Sequence, residues 1–514
     1  MRAQREPALL SSVTARRLLL LAILLLGVFL RFYRLDAQSF WNDEGNSARI
    51  AERPLELIVK GAAGDIHPPG YYLLLHYWRM AAGQSEFALR ALSVFPGTLL
   101  VAFTYELGRR LLGKTIGLSA AFLGAVSPFA IYYSQEARMY SLLAAVSAAS
   151  VLVSRGLGST GRNKGAAPWL AYVLTCAIGL YTHYAFVFVL IAHNVVFGVR
   201  WLVGPFQSGD RWRSLARWAG AQTAVMVLYL PWLPRALSAG GWSSAGGGHK
   251  LGRALLDVLR VLGVGVTHSL ADVKAGILAT TCLLIVGMCP RMGGVGVRRY
   301  LSPLGWPGMV SLAPYLLVPL GLFFGFGLYK PAWFKFLVIV LSSFHLLVAN
   351  GVGNVAALSR YVLRGWKQTA DFAYRGSSAF LILGLTLLMS VSLNNLYFDP
   401  AYARDDYRQL AADLQLSRRP GDAIVLNAPN QWEVFTYYYP NRDVYPTPYR
   451  PAAERAEGFL APILEDYERL FVLYWGDAES DPKKRVESWL AEHAYKAGDR
   501  WYGDVRMSTY RVAP

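Results

Sequence analysis

Two short stretches near the start of the chain gather groups able to move a proton or hold charge: Phe40-Trp41-Asn42-Asp43-Glu44 and, a little later, Asp65-Ile66-His67-Pro68-Pro69. Residues 1–400 contain 15 acidic residues, and seven of them (Asp36, Asp43, Glu44, Glu52, Glu56, Asp65, Glu86) fall between positions 36 and 86. Asp36, Glu52 and Glu56 read equally well as the polarity of a solvated loop. Asp43 and Glu44 are harder to dismiss, because they follow Phe40-Trp41 at the edge of an apolar run, where an ionised carboxylate is costly without a task or a partner. A half-buried aspartate suits general-base work, so Asp43 and Glu44 are the catalytic candidates. The prolines after His67 fix an extended backbone there. His67 either makes a rigid turn or, with Asp65, orients Asp43 or touches substrate.

A second polar island, Tyr132-Tyr133-Ser134-Gln135-Glu136-Ala137-Arg138-Met139-Tyr140, lies between two apolar spans. A hairpin turn with a Glu136/Arg138 surface pair would explain part of it. So many hydrogen-bonding side chains in so short a turn argue instead for a lined cavity, with Tyr133, Gln135, Glu136 and Arg138 as its binding residues. Arg138 suits a phosphate, since a guanidinium stays charged and donates a bidentate fork. Lys330 and Lys335, in Tyr329-Lys330-Pro331-Ala332-Trp333-Phe334-Lys335, flank the start of another span. They read as phosphate contacts or as lysines snorkelling to a membrane surface.

The elements that must position these residues are mostly membrane helices. The 514-residue chain is 54% hydrophobic, and it repeats apolar runs of roughly 18 or more residues, the length that crosses a bilayer. Spans are expected near 17–35, 87–108, 116–133, 139–155, 168–184, 186–203, 217–236, 272–290, 309–329, 333–351 and 377–397, about eleven in all. The net charge of +18 would point to nucleic acid in a soluble protein. Here residues 401–514 hold 15 Lys/Arg and 18 Asp/Glu, leaving 36 basic and 15 acidic residues before them. Much of that basic excess falls in short loops on one side of the spans, as cytoplasmic loops require, so the charge records topology and no nucleic-acid partner is expected. The same alternation predicts a cytoplasmic N-terminus, with Leu18 to Leu30 kept as a first span, and a cell-membrane location. It also puts the carboxylates on the outer face.

Within the long outer loop 36–86, Gly70 to Ala82 reads as an interfacial amphipathic helix. The glycine-rich stretch 239–252 reads as a mobile lid. Cys176, Cys282 and Cys289 have neither zinc-site nor disulfide spacing and read as packing residues. The organisation expected is a polytopic α-helical membrane domain over 1–398 followed by a small extracytoplasmic α/β domain over 399–514. In the latter, helices near 405–416, 453–467 and 483–493 alternate with strands at 423–426 and 470–475. No nucleotide-binding glycine fingerprint is present there.

Four blocks carry a resemblance to a known family: Phe40 to Glu44, Asp65 to His76, Ser85 to Arg90, and Ser127 to Tyr140. Their order and spacing over roughly residues 30–145 resemble the prokaryotic relatives of the dolichyl-phosphate-mannose protein mannosyltransferases. These are integral-membrane glycosyltransferases of the C structural class, a group that includes the lipid A aminoarabinose transferase. The resemblance implies a C-class fold and a reaction without nucleotide sugar. A hexosyl group, mannosyl in the family's namesakes, leaves a polyprenyl phosphate for an acceptor hydroxyl on the outer face, with inversion. The acceptor class, protein, lipid or envelope glycan, is left open. Carried over by position, Asp43 matches the catalytic aspartate, Glu44 and Glu136 the accompanying acids, and Arg138 the holder of the donor phosphate. Lys330 to Lys335 resembles a position where the family often carries Tyr or Arg. A divalent cation at Asp43 and Glu136 is left open as a cofactor; a nucleotide cofactor is not expected.

The bottom-up chemistry agrees, since inverting transfer needs one base beside the acceptor, and a phosphate leaving group needs cations more than an acid. Two rivals share the composition. A lipid-linked sugar flippase or transporter should place ionisable residues near mid-membrane. A non-catalytic subunit of envelope-polysaccharide assembly would use the tail as a binding module.

Overall fold

The computed structural model describes residues 13–63, 67–157, 165–203, 208–238, 250–289, 312–363, 365–441 and 443–512. Asp65 and most of the glycine-rich stretch, residues 239–249, lie outside them. The chain divides into two compact units.

The first unit comprises Met1–Tyr33, Leu55–Leu74 and Arg90–Phe398 and is helical. Helices overlie every stretch expected to span. Among the described residues six of them are long and apolar enough to cross a membrane, or seven if one bent pair counts as a single span. Three more apolar helices, Ala167–Thr182, Lys274–Gly287 and Pro314–Gly325, are shorter. Burial sorts the long ones. The most apolar 18-residue window of Pro331–Ser359 is 94% buried, whereas those of Val13–Phe32 and Gln368–Phe398 are 11% and 22% buried. The outer helices therefore expose apolar faces: Phe380, Leu383, Leu387 and Val391 recur at helical spacing on one of them. An apolar face of that kind is stable against hydrocarbon and costly against water.

Helix-to-helix packing in this unit relies on small residues. Where Lys274–Gly287 crosses Leu341–Val362, a Cβ on Gly287 would lie 1.8 Å from the Leu347 carbonyl oxygen and one on Gly351 1.9 Å from that of Leu283. Only glycine admits so close a crossing, which Asn350 and Asn354 secure by donating Nδ2 hydrogens to Gly287 O at 2.9 Å and Val286 O at 3.1 Å.

The bent pair is Lys114–Val126 with Pro128–Ser134, which meet at 56°. Pro128 has no amide to donate and disfavours helix in the residue before it, so the chain turns at Ser127, which takes an extended backbone and caps the next helix by accepting from Ala130 N. This break opens the second polar island.

The second unit comprises Arg34–Pro54, Leu75–Leu89 and Asp399–Pro514. Its centre is a five-stranded sheet in the order β2-β1-β3-β5-β4, made from β1 (Asp422–Leu426), β2 (Val444–Pro446), β3 (Arg469–Tyr474), β4 (Tyr495–Tyr502) and β5 (Val505–Arg511). β2, β1 and β3 are parallel; β5 runs antiparallel to β3 and to β4. β1 is buried along its whole length and matches the apolar run anticipated there. Ala423, Val425, Leu470 and Val472 form a core with Leu460 and Leu490 from the helices Ala453–Asp466 and Arg485–His493. Strands β2, β4 and β5 were not anticipated. β4 is an exposed edge strand rich in charge (Lys496, Asp499, Arg500), so it carries no apolar alternation to read.

Candidate active site

In the first unit the site grows from the helix break. Arg31, in the last turn of Val13–Phe32, is fully buried. Its guanidinium donates to the Gly124, Ala125 and Gly27 carbonyls and to Ser134 Oγ at 3.0 to 3.2 Å. It thus satisfies carbonyls that the ending helix leaves without an internal partner. Gln135 binds back to the Arg31 and Tyr33 carbonyls at 3.1 and 2.9 Å. Ser93 Oγ donates to the Arg138 carbonyl at 3.1 Å. The segment 134–138 is therefore pinned from three sides.

Glu136 and Arg138, which a surface turn would expose, are both buried. The Arg138 guanidinium lies 3.5 Å from Tyr72 Oη and 3.4 Å from Tyr140 Oη and from His67 Nε2, at the outer limit of hydrogen bonding. Lys335 Nζ stands 5.4 Å from the centre of the Tyr140 ring and Arg138 Cζ 5.7 Å from it. Tyr133 packs edge-on to Tyr140 at 5.2 Å. His67, buried behind its prolines, has its ring 5.5 Å from that of His183.

His183 sits between the helices Ala167–Thr182 and Phe186–Val203 and is held neutral. Burial, then the neighbouring His67, Lys335 and Arg138, push its pKa well below the ordinary 6.5. Its Nδ1 accepts from Ala185 N at 3.0 Å, which places the remaining proton on Nε2. The unit thus brings together His67, Tyr133, Arg138 and Lys335, with Glu136 and Gln135 on the same short segment. Lys330 is exposed at the head of the 3₁₀ helix Pro331–Val340, where its carbonyl accepts from Trp333 N at 2.9 Å. No side-chain contact among the described residues joins it to that set. Such converging cations and phenols can bind a phosphate and stabilise charge growing on it.

In the second unit Asp43 and Glu44 occupy the first turn of Asn42–Glu52, where the helix dipole favours acids. They do not share a fate. Asp43 is half-buried, whereas Glu44 is fully buried and accepts from Arg404 Nη1 at 2.7 Å. The helix is seated against Trp432–Tyr438 so closely that a Cβ on Gly45 would stand 2.4 Å from Val434 Cα. Around it Tyr438 Oη accepts from Phe40 N at 2.7 Å, Ser39 Oγ donates to the Asp405 carbonyl at 2.7 Å, and Glu433 pairs with Arg53. Burial pushes the Asp405 carboxyl up, against hydrogen bonds from Asp504 N and Trp475 Nε1. Other acids of the loop also find partners: Glu86 pairs with Arg408 and accepts from Tyr438, and Glu52 pairs with Arg49.

Among the described residues no three His, Cys, Asp or Glu side chains converge as a protein-held cation requires. Asp43 and Glu136, the pair considered for a metal, belong to different units. Sequence reasoning missed Arg31, Tyr72, Tyr140, His183 and Arg404. Arg31 had a visible signal, a lone charge at the end of an apolar span. Arg404 had none.

Residues 66–234 match the family model described as dolichyl-phosphate-mannose-protein mannosyltransferase. No curated protein matches the chain in sequence. Among solved structures, ArnT from Cupriavidus metallidurans bound to undecaprenyl phosphate superposes with a TM-score of 0.61 at 14% identity, over 98% of this chain and 99% of that one. Its apo state gives 0.59 at 14% identity over 96% and 98%. The archaeal oligosaccharyltransferase AglB from Archaeoglobus fulgidus, in complex with an inhibitory peptide and a dolichol-phosphate, gives 0.56 at 13% identity over 94% of this chain and 72% of its own. At such identities the structures establish a shared fold. Over residues 66–234 the chain is similar to the dolichyl-phosphate-mannose-protein mannosyltransferase family, and its fold is similar to that of ArnT and AglB.

Proposed function

We propose that this protein is an inverting glycosyltransferase that moves a sugar from a polyprenyl-phosphate carrier to an acceptor hydroxyl at the outer face of the cell membrane. The observation that carries the reading is the group formed by the buried Arg138 and His67 and the half-buried Lys335 around Tyr140, with Tyr72 and His183 beside it. Arg138 is held there out of water and Lys335 partly so, which suits a phosphate leaving group. Solved neighbours of this fold hold undecaprenyl phosphate and dolichol-phosphate.

In the step proposed, Asp43 takes the proton from the acceptor hydroxyl as its oxygen attacks the anomeric carbon. The bond from that carbon to the phosphate oxygen breaks, and polyprenyl phosphate leaves with the electron pair. Arg138, Lys335 and His67 meet the charge that develops on the phosphate. Glu136, next but one to Arg138, orients that segment, while Glu44, sealed against Arg404, anchors the helix that bears Asp43. The sugar is a hexose, and mannose is the first to test. The acceptor is a protein, lipid or envelope-glycan hydroxyl.

The test is transfer in proteoliposomes from labelled polyprenyl-phosphate hexoses. Asp43→Asn should cost about 10²- to 10⁴-fold in kcat with donor binding retained. Arg138→Gln should weaken binding of the polyprenyl phosphate product as well. Movement of intact lipid between leaflets without transfer would favour a flippase, and full turnover in Asp43→Asn would refute the assignment.

A further inference from the structure

Arg404 lies in the tail of the chain, beyond the last membrane helix, yet it grips the start of the helix Asn42–Glu52 from two sides. Its Nη1 donates to the fully buried Glu44 carboxylate at 2.7 Å, and its backbone N–H donates to Gln38 Oε1 at 3.0 Å. The next residues extend the grip, with Ser39 Oγ donating to the Asp405 carbonyl at 2.7 Å and accepting from Tyr407 N at 3.1 Å. Positions 38, 39 and 44 are thereby registered on 404–407. We infer that Arg404 is a positioning residue for Asp43, which makes the sheet-bearing tail part of the catalytic apparatus and not a detachable binding module. The inference rests on the reading of Asp43 as the base.

The physical argument concerns direction more than stability. A buried ion pair adds little net stability over a well-packed apolar pair, but losing one partner leaves the other charged and unpaired in a dry site. Such a pair therefore fixes geometry. Successive residues on a helix are about 100° apart, so a Glu44 locked inward leaves the half-buried Asp43 one defined heading. Release of Glu44 lets the first turn rotate or fray, and the base loses its aim while its chemistry is unchanged. Misplacement of about 1 Å can cost on the order of 10²-fold in rate.

The experiment uses full-length protein in proteoliposomes with whichever synthetic undecaprenyl-phosphate hexose the wild type turns over. It compares Arg404→Lys, Arg404→Met, Glu44→Gln, the double variant Glu44→Gln/Arg404→Met, and Asp43→Asn. Arg404→Met should lower kcat about 10²-fold with donor KM within about twofold. Arg404→Lys keeps the charge without the fork, so it should fold and retain an intermediate kcat. The double variant should lose no more turnover than the worse single one, as expected of two groups acting as a unit. Arg404→Lys serves as the measured variant if Arg404→Met fails to fold. Wild-type kcat in Arg404→Lys beside an inactive Asp43→Asn overturns the positioning role alone, and so do losses that multiply in the double variant. Full turnover in Asp43→Asn overturns the base assignment instead.

Discussion

Replacing Gly45 with alanine tests how tightly the Asp43 helix is seated. A Cβ there would fall 2.4 Å from both Val434 Cα and Val434 Cβ, and 2.7 Å from Cγ2. Carbon atoms rest at about 3.5 to 4.0 Å, so the helices Asn42–Glu52 and Trp432–Tyr438 must separate by about 1 Å. They are not free to do so. One end of the first is tied by Glu44 to Arg404 at 2.7 Å, and the other by Arg53 to Glu433. Overpacking of this kind costs about 1 to 3 kcal/mol, and a shift of about 1 Å at Asp43 about 10²-fold in turnover. Gly220→Ala is the control, since a Cβ at that helical position meets nothing within 4 Å. It should be neutral or stabilising by up to about 1 kcal/mol. Val434→Gly in the Gly45→Ala background removes two of the three clashing atoms and should restore part of the turnover. Melting temperature and kcat are read on all four proteins. Wild-type values for both in Gly45→Ala would refute the close seating of this helix.

Two further perturbations probe the first unit. His183 is held neutral, its folded pKa well below the ordinary 6.5. Below about pH 6.5 the unfolded chain therefore takes up a proton that the folded chain refuses, and stability falls as pH drops, by at most about 1.4 kcal/mol per pH unit from this group. It is unaffected by His183 above that pH. Thermal melts across pH 5 to 8 should show the wild type losing stability relative to His183→Asn on the acid side only; parallel curves would count against the buried neutral state. Arg31→Met strips the donors from the Gly124 and Ala125 carbonyls and from Ser134. At about 1 to 3 kcal/mol for each buried group left unmet, a loss of roughly 3 kcal/mol or more in denaturant unfolding is expected, and a change under about 0.5 kcal/mol would show that the clamp at the break is dispensable.

The parts of the fold legible in the sequence are those where one local signal suffices. Gly70–Ala82 is a helix over the residues expected, because its apolar and aromatic residues recur at helical spacing. β1 and β3 are continuous apolar runs of strand length. The break at Ser127-Pro128 is written in the proline. Length is less legible. The shorter apolar helices, such as Lys274–Gly287, occupy stretches that read as complete spans, because hydropathy marks apolar composition but not where a helix ends. From sequence the long loop 36–86 reads as one feature of the membrane domain. Its backbone instead contributes residues 34–54 and 75–89 to the unit that also holds 399–514, and residues 55–74 to the other.

At the site the same divide holds, and it separates residue type from residue partner. Arg138 and His67 could be picked out because a charge or an imidazole between apolar spans is expensive wherever it lies. Asp43 and Glu44 could not be told apart that way. They are adjacent, both acidic, both in the first turn of one helix, and apart from the family resemblance the residues offer no ground for giving them different work. What separates them is burial: Glu44 is fully enclosed and accepts at 2.7 Å from a guanidinium 360 positions later, whereas Asp43 stays half-buried. A pairing at that distance leaves no periodicity and no motif, since Arg404 sits in a short irregular segment after Pro400–Tyr402 and before the helix Tyr407–Ser417. The acid cluster that first marked the loop is thus two populations. Glu44, Glu52 and Glu86 neutralise arginines within their own unit, and their density reports how firmly that unit is tied together. Asp43 is the half-buried acid of the Asp43-Glu44 pair, and a base must keep such access to meet an acceptor hydroxyl.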